Sequence, residues 1–174
     1  MNLVLIGFMG TGKSKIGKLL AGELGYEFVD TDLVIETECG LKIAEIFATK
    51  GEAFFRDLEH QLAQRLSGTD HQVIATGGGW VLNPANLELS SANGFIISLI
   101  AAPEIIYERI KAENHRPLLA CEDPLAKIRQ IMSQRANLYQ KADLVMDTSE
   151  KTPEELTAVI IEALVKRGVI NARS

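Results

Sequence analysis

Near the amino terminus, Gly7-Phe8-Met9-Gly10-Thr11-Gly12-Lys13-Ser14 places three glycines, a lysine and a hydroxyl in the spacing G-x-x-x-x-G-K-S/T. Each residue type has a use for phosphate. Glycines let successive backbone amides turn inward around phosphate oxygens. The Lys13 ammonium can neutralise β- and γ-phosphates, and the Ser14 hydroxyl can ligate Mg2+. An apolar run, Leu3 to Ile6, precedes the loop, and an amphipathic stretch follows it. A helix there would point its positive end at a bound anion. A chance glycine turn would not need that context, so the loop predicts binding of ATP with Mg2+.

Other candidate residues are more ambiguous. The apolar run Val73-Ile74-Ala75 ends in Thr76 and glycines, and offers no aspartate as a metal anchor. Asp30 and Asp32 instead follow Tyr26 to Val29, at the carboxyl end of a predicted strand, where open α/β sheets place ligands. One carboxylate could hold magnesium through water and the other could accept a substrate hydroxyl proton, as small-molecule kinases require. Asp and Thr are equally at home at a helix N-cap. Spacing alone leaves both readings open. Arg56 and Glu59 lie one helical turn apart, so the carboxylate can orient the guanidinium. On its own this pair reads as an exposed ion pair worth about 0.3–0.5 kcal/mol. Gly77-Gly78-Gly79 would give backbone close access to a ligand, or serve as a flexible turn. His60, His71 and His115 are expected at the surface, Phe47, Phe54 and Phe55 mostly in the core, and Cys39 and Cys121 as passive thiols.

The elements that must hold these residues alternate short apolar runs with longer amphipathic ones. Strands are expected at Leu3 to Ile6, Tyr26 to Val29, Val73 to Ala75, Phe95 to Leu99 and Leu144 to Met146. Helices are expected at Lys13 to Leu24, from Pro103 to about Ile110, and at Pro124 to Tyr139 and Pro153 to Lys166. A helix-prone stretch from Leu33 to Leu66 is interrupted at Gly40 and Gly51. The alternation predicts an α/β fold: five parallel strands with helices on both faces, in three layers. Neither a repeat nor a linker divides the 174 residues, so one domain spanning residues 1–174 is expected.

Composition narrows the partners. With 47% hydrophobic and 24% charged residues the chain is ordinary for a globular domain. A net charge of −5 argues against a nucleic-acid partner. The longest apolar stretch, around Gly94 to Ile106, is broken by Ser98, Pro103 and Glu104 and is too short to span a bilayer. The first residues carry no signal-peptide pattern, and two unpaired cysteines suit a reducing compartment, so a cytoplasmic monomer is expected.

Six motifs occur in order: Gly7 to Ser14; Asp30-Thr31-Asp32; Phe55-Arg56-x-x-Glu59; Gly77-Gly78-Gly79; Arg116-Pro117-Leu118-Leu119; and Arg135-x-x-x-Tyr139. Together they resemble the shikimate kinase family, P-loop small-molecule kinases, over nearly the whole length. The resemblance implies transfer of the γ-phosphoryl of ATP to the 3-hydroxyl of shikimate, on the route to chorismate and the aromatic amino acids. It implies that Gly10, Thr11, Gly12, Lys13, Ser14 and Lys15 bind ATP phosphates, that Arg109 lies against adenine, and that Arg116 swings onto the transferring phosphate. Asp32 would bind shikimate hydroxyls and act as base, with Lys13 and Arg116 as further catalytic groups. Asp30, through water, and Ser14 would hold Mg2+. Arg56 and Arg135 would clamp the shikimate carboxylate beside the backbone of Gly78 and Gly79. A helical substrate-binding insert is expected over about residues 31–66 and a lid over about 111–123. Two departures stand out: Lys15, where the family commonly has a small hydroxyl residue, and Trp80, where a smaller apolar side chain is expected. The indole would either narrow the pocket or pack outward. A kinase for another polyol acid such as gluconate, a nucleotide-binding regulatory module with no acceptor, and a nucleoside monophosphate kinase, which would want more arginines in the lid, are the alternatives.

Overall fold

The structure, a computed structural model, describes residues 1–111 and 121–171. Five parallel strands form one sheet: β1 (Asn2–Ile6), β2 (Glu27–Asp30), β3 (Gln72–Ala75), β4 (Gly94–Ile100) and β5 (Leu144–Asp147), in the spatial order β2-β3-β1-β4-β5. β1 is central and fully buried, which is why it reads as an unbroken apolar run rather than an alternating one. Side chains still alternate between faces. Val4 and Ile6 join Ile74 and Ile96 on one side, whereas Leu3 and Leu5 join Val73, Ile97 and Leu99 on the other.

Helices cover both sides. α1 (Lys13–Leu24) and α8 (Pro153–Lys166) place Ile16, Leu20, Leu156, Ile160 and Leu164 on the Leu3 face. α1 lies so close to the sheet that a Cβ on Gly17 would stand 2.6 Å from the Phe28 ring. On the Val4 face lie α4 (Glu52–Leu66), α5 (Pro84–Ala92), α6 (Pro103–Ile110) and α7 (Pro124–Tyr139). Three helices, α2 (Thr31–Cys39), α3 (Ile43–Lys50) and α4, share a smaller core of Ile35, Ile46, Phe55 and Leu62. Among the described residues no helix is long and apolar enough to cross a membrane.

The expected three-layer architecture is therefore present, with two refinements. The stretch between β3 and β4 carries a single 3-10 turn (Trp80–Leu82) and then α5, which the apolar spacing did not indicate. Its start is marked instead by Asn83, whose side chain accepts from the Ala85 amide, followed by Pro84 in the first turn. Trp80 turns away from the crevice: its indole is buried, 1% exposed, and Nε1 donates to Ser90 Oγ at 3.2 Å on α5. The outward-packing alternative holds, and the indole does not narrow the crevice at the carboxyl end of the sheet.

Candidate active site

All the candidate groups among the described residues lie at the carboxyl ends of the strands, the edge where such sheets place ligands. The loop after β1 is shaped by Gly7, Gly10 and Gly12, with φ of 147°, 76° and 91°, values that disfavour any side chain. Lys13 Nζ donates to the carbonyls of Gly7 and Phe8 at 2.8 and 2.9 Å, and Thr11 Oγ1 donates to Phe8 O at 2.8 Å. No side chain caps the N-terminus of α1, so its first amides face the loop. Ser14 and Lys15 are exposed at that end.

Asp30 serves in two ways at once. Its Oδ1 accepts from the amides of Asp32 and Leu33, capping α2, at 3.2 and 3.3 Å. Its Oδ2 accepts from Ser14 Oγ at 2.7 Å. The cap reading therefore holds for Oδ1, while Oδ2 lies beside the Ser14 hydroxyl at the start of α1. Asp32 follows in the first turn of α2, and its Oδ1 points at Gly77, where an added Cβ would stand 2.5 Å away. Gly77 is itself placed by its amide, which donates to Thr31 Oγ1 at 3.0 Å.

Glu59 reaches the same point from α4. Its Oε1 would stand 2.9 Å from a Cβ on Gly77, and its Oε2 accepts from Arg56 Nη1 at 2.6 Å. Glu59 is fully buried, and burial pushes its carboxyl above the ordinary value against the pull of Arg56, with the Asp32 charge adding to the rise. Arg56 is also held by Glu52 Oε1, from Nε at 3.2 Å and Nη2 at 2.9 Å, and stands over the Phe55 ring 5.4 Å from its centroid. This is no exposed surface pair: the guanidinium lies against Gly79, where a Cβ would stand 2.5 Å from Cζ. From α7, Arg135 Nη1 and Tyr139 Oη both donate to the Gly78 carbonyl, at 3.0 and 3.2 Å. A Cβ on Gly78 would in turn lie 3.4 Å from the Met9 amide, so the glycine triplet abuts the phosphate loop.

On the far side, Arg109 Nη1 donates to Gly10 O at 3.2 Å and to Thr148 Oγ1 at 2.9 Å, and Nη2 donates to Thr148 O at 2.5 Å. The guanidinium ties the loop to the end of β5. Arg116 and most of the expected lid lie outside the described residues. Sequence reasoning gave no role to Thr31, Tyr139 or Thr148. Tyr139 carried a signal, since it lies one turn after Arg135; the other two did not, because their partners are distant in sequence. His60, expected at the surface, is half-buried and hydrogen-bonded to Asn86.

Comparison with known proteins agrees with this geometry. The family model described as shikimate kinase matches residues 9–165. A shikimate kinase of Thermodesulfovibrio yellowstonii is 47% identical over 161 residues, 92% of this chain and 93% of that protein. One from Caldanaerobacter subterraneus subsp. tengcongensis is 46% identical, over 95% and 96%. The shikimate kinase of Acinetobacter baumannii, solved in complex with shikimate, superposes with a TM-score of 0.92 at 32% identity, covering 97% of this chain and 95% of that one. A match of this extent, on a chain whose glycine triplet, carboxylates and arginines already meet beside a phosphate loop, shows that the chain belongs to the shikimate kinase family.

Proposed function

We propose that this chain is an ATP-dependent kinase that phosphorylates the 3-hydroxyl of shikimate. The observation that carries the reading is the convergence on Gly77 to Gly79: Asp32, Arg56 and Arg135 surround this backbone, which touches the phosphate loop at Met9. A small acid with hydroxyls, held there, has its hydroxyl edge turned toward the γ-phosphoryl.

The roles follow from the donor and acceptor chemistry. Arg56 and Arg135 clamp the carboxylate, for which a planar guanidinium is suited and an ammonium is not. Glu59 and Glu52 hold Arg56 in place. Asp32 accepts the hydroxyl proton as the hydroxyl oxygen attacks the γ-phosphorus and the bond from that phosphorus to the β,γ-bridging oxygen breaks, releasing ADP. Gly10, Thr11, Gly12, Ser14 and Lys15 contribute backbone amides to the phosphates, and Lys13 turns from the loop carbonyls to the β- and γ-oxygens. Arg109 offers its face to adenine. Arg116 joins the transferring phosphate from a lid over about residues 111–123, opposite an acceptor-binding insert over about residues 31–66; both are parts of a single domain, residues 1–174.

The metal fits the donors. Ser14 Oγ and Asp30 Oδ2 form a hard oxygen pair, and Mg2+ takes one or two protein oxygens with phosphates and water completing its shell. Held by these two residues, Mg2+ would supply positive charge to offset that of the β- and γ-phosphates. We place the protein in the cytoplasm as a monomer.

The test is ADP release from ATP and Mg2+ with shikimate, gluconate, a nucleoside monophosphate or no acceptor. Stimulation by shikimate alone is expected. Stimulation by gluconate instead, or by none of them, overturns the assignment in favour of another polyol-acid kinase or a regulatory module.

A further inference from the structure

A part-buried polar strap runs behind the acceptor side of the crevice. Asn86, 1% exposed on α5, donates from Nδ2 to the Trp80 carbonyl at 3.5 Å, so its Oδ1 is the acceptor facing His60 Nδ1 at 2.9 Å. In that arrangement His60 Nδ1 is the donor to Asn86, and the other ring nitrogen, Nε2, stands 3.2 Å from Gln64 Nε2. Ser90 Oγ links Trp80 Nε1 to the Asn86 carbonyl, accepting at 3.2 Å and donating at 2.7 Å. One end of the strap is on α4, at the residue after Glu59 and one turn beyond Arg56. The other end is at the residue after Gly79. Among the described residues the His60–Asn86 bond is the side-chain hydrogen bond that joins α4 to the Gly77–Ala92 stretch.

Those two segments carry Arg56 and the glycine triplet, which the acceptor reading sets beside the carboxylate, and there is no slack between them. A single carbon added at Gly79 would collide with the Arg56 guanidinium. A small slip of α4 against the glycine triplet would change the angle at which guanidinium and backbone meet a carboxylate. We propose that His60 and Asn86 are positioning residues for the acceptor carboxylate: they touch no substrate, and they set the spacing between Arg56 and Gly79. The proposal rests on the acceptor reading above.

The experiment compares His60→Leu, which removes the donor, with His60→Asn, whose side-chain amide can donate from nearly the same place. For His60→Leu in the full chain, the KM for shikimate is expected to rise about 5- to 20-fold, with kcat and the KM for ATP within about twofold. His60→Asn is expected to restore most of the loss. Hydrogen exchange at the amides of Gly77 to Leu82 reads the strap whatever the acceptor is: it speeds up in His60→Leu and returns in His60→Asn. A lowered melting temperature with unchanged shikimate KM and unchanged exchange makes the pair merely structural and overturns the proposal. A parallel rise in both KM values also overturns it. Failure of the wild-type chain to turn over shikimate sinks the acceptor reading, and is told apart because the exchange comparison still succeeds or fails by itself.

Discussion

Gly79→Ala tests the acceptor clamp with one methyl group. Gly79 has φ −97° and ψ 0°, a conformation open to alanine, so the backbone is not strained by the change. The new Cβ would stand 2.5 Å from Cζ and Nη2 of Arg56, well inside van der Waals contact, and the guanidinium must retreat by about 1 Å. Arg56 is free to swing only by leaving Glu59, its partner at 2.6 Å. A displaced guanidinium forfeits a charge-assisted hydrogen bond to the carboxylate, worth about 1.5–3 kcal/mol, or roughly 10- to 150-fold in acceptor affinity. A shikimate titration at saturating ATP should therefore show a KM raised in that range, with the KM for ATP little changed, because the phosphate loop is not touched. In an Arg56→Ala background the same Gly79→Ala change should add almost nothing, since the pair acts as one unit. A KM within twofold of wild type in the single variant, or a full further loss in the double variant, would refute the contact as the source of acceptor binding.

Asp32→Asn should reduce transfer by several orders of magnitude while ATP affinity, measured by calorimetry, stays within about threefold, because the amide cannot take the proton but the loop is intact. Equal loss of ATP affinity would remove Asp32 from the base role. Gly22→Ala, at an exposed α1 position with no atom within 4 Å of the new Cβ, should stabilise the fold by about 0.4–1 kcal/mol in urea titrations without affecting turnover. Glu59 gives a pH signature. Its folded value lies above 4.5, so the folded state holds the proton more tightly than the unfolded chain, and that stabilisation is complete below 4.5 and lost as pH rises through the folded value. The stability deficit of Glu59→Gln relative to wild type should accordingly shrink as pH is raised from about 4.5 toward 7, followed by urea unfolding; a deficit that grows would reverse the assigned direction.

Much of the fold was legible because punctuation was strong. Gly25 ends α1 in a left-handed cap, and Pro103, Pro124 and Pro153 open α6, α7 and α8 where the sequence places them. Thr152 adds a capping box with Glu155 at the start of α8. α5 escaped because it carries few apolar residues: Leu87 and Leu89 pack against the core, but the residue buried most deeply is Asn86, which is engaged in hydrogen bonds. The phosphate loop could be read locally, since its glycines, lysine and serine are neighbours in sequence, whereas spacing alone left Asp30 and Asp32 open between cap and site. The direction of Trp80 could not, because it depends on a one-turn 3-10 helix that rotates the indole toward Ser90. His60 was undervalued for the same kind of reason: its partner lies 26 residues away, and no periodicity announces it.

The position of Lys13 bears on how experiments on this loop are interpreted. Its ammonium cross-links the carbonyls of Gly7 and Phe8, so the side chain is a brace for the loop's shape as well as a source of charge. Replacing it with methionine would subtract both at once: a cation from the phosphate, and a crossbar from a turn that three glycines leave floppy in the unfolded chain. The affinity lost in such a variant is a composite. Arginine at the same place would keep the charge while its larger fork misfits a brace built for a point donor, so the two replacements together separate scaffold from countercharge.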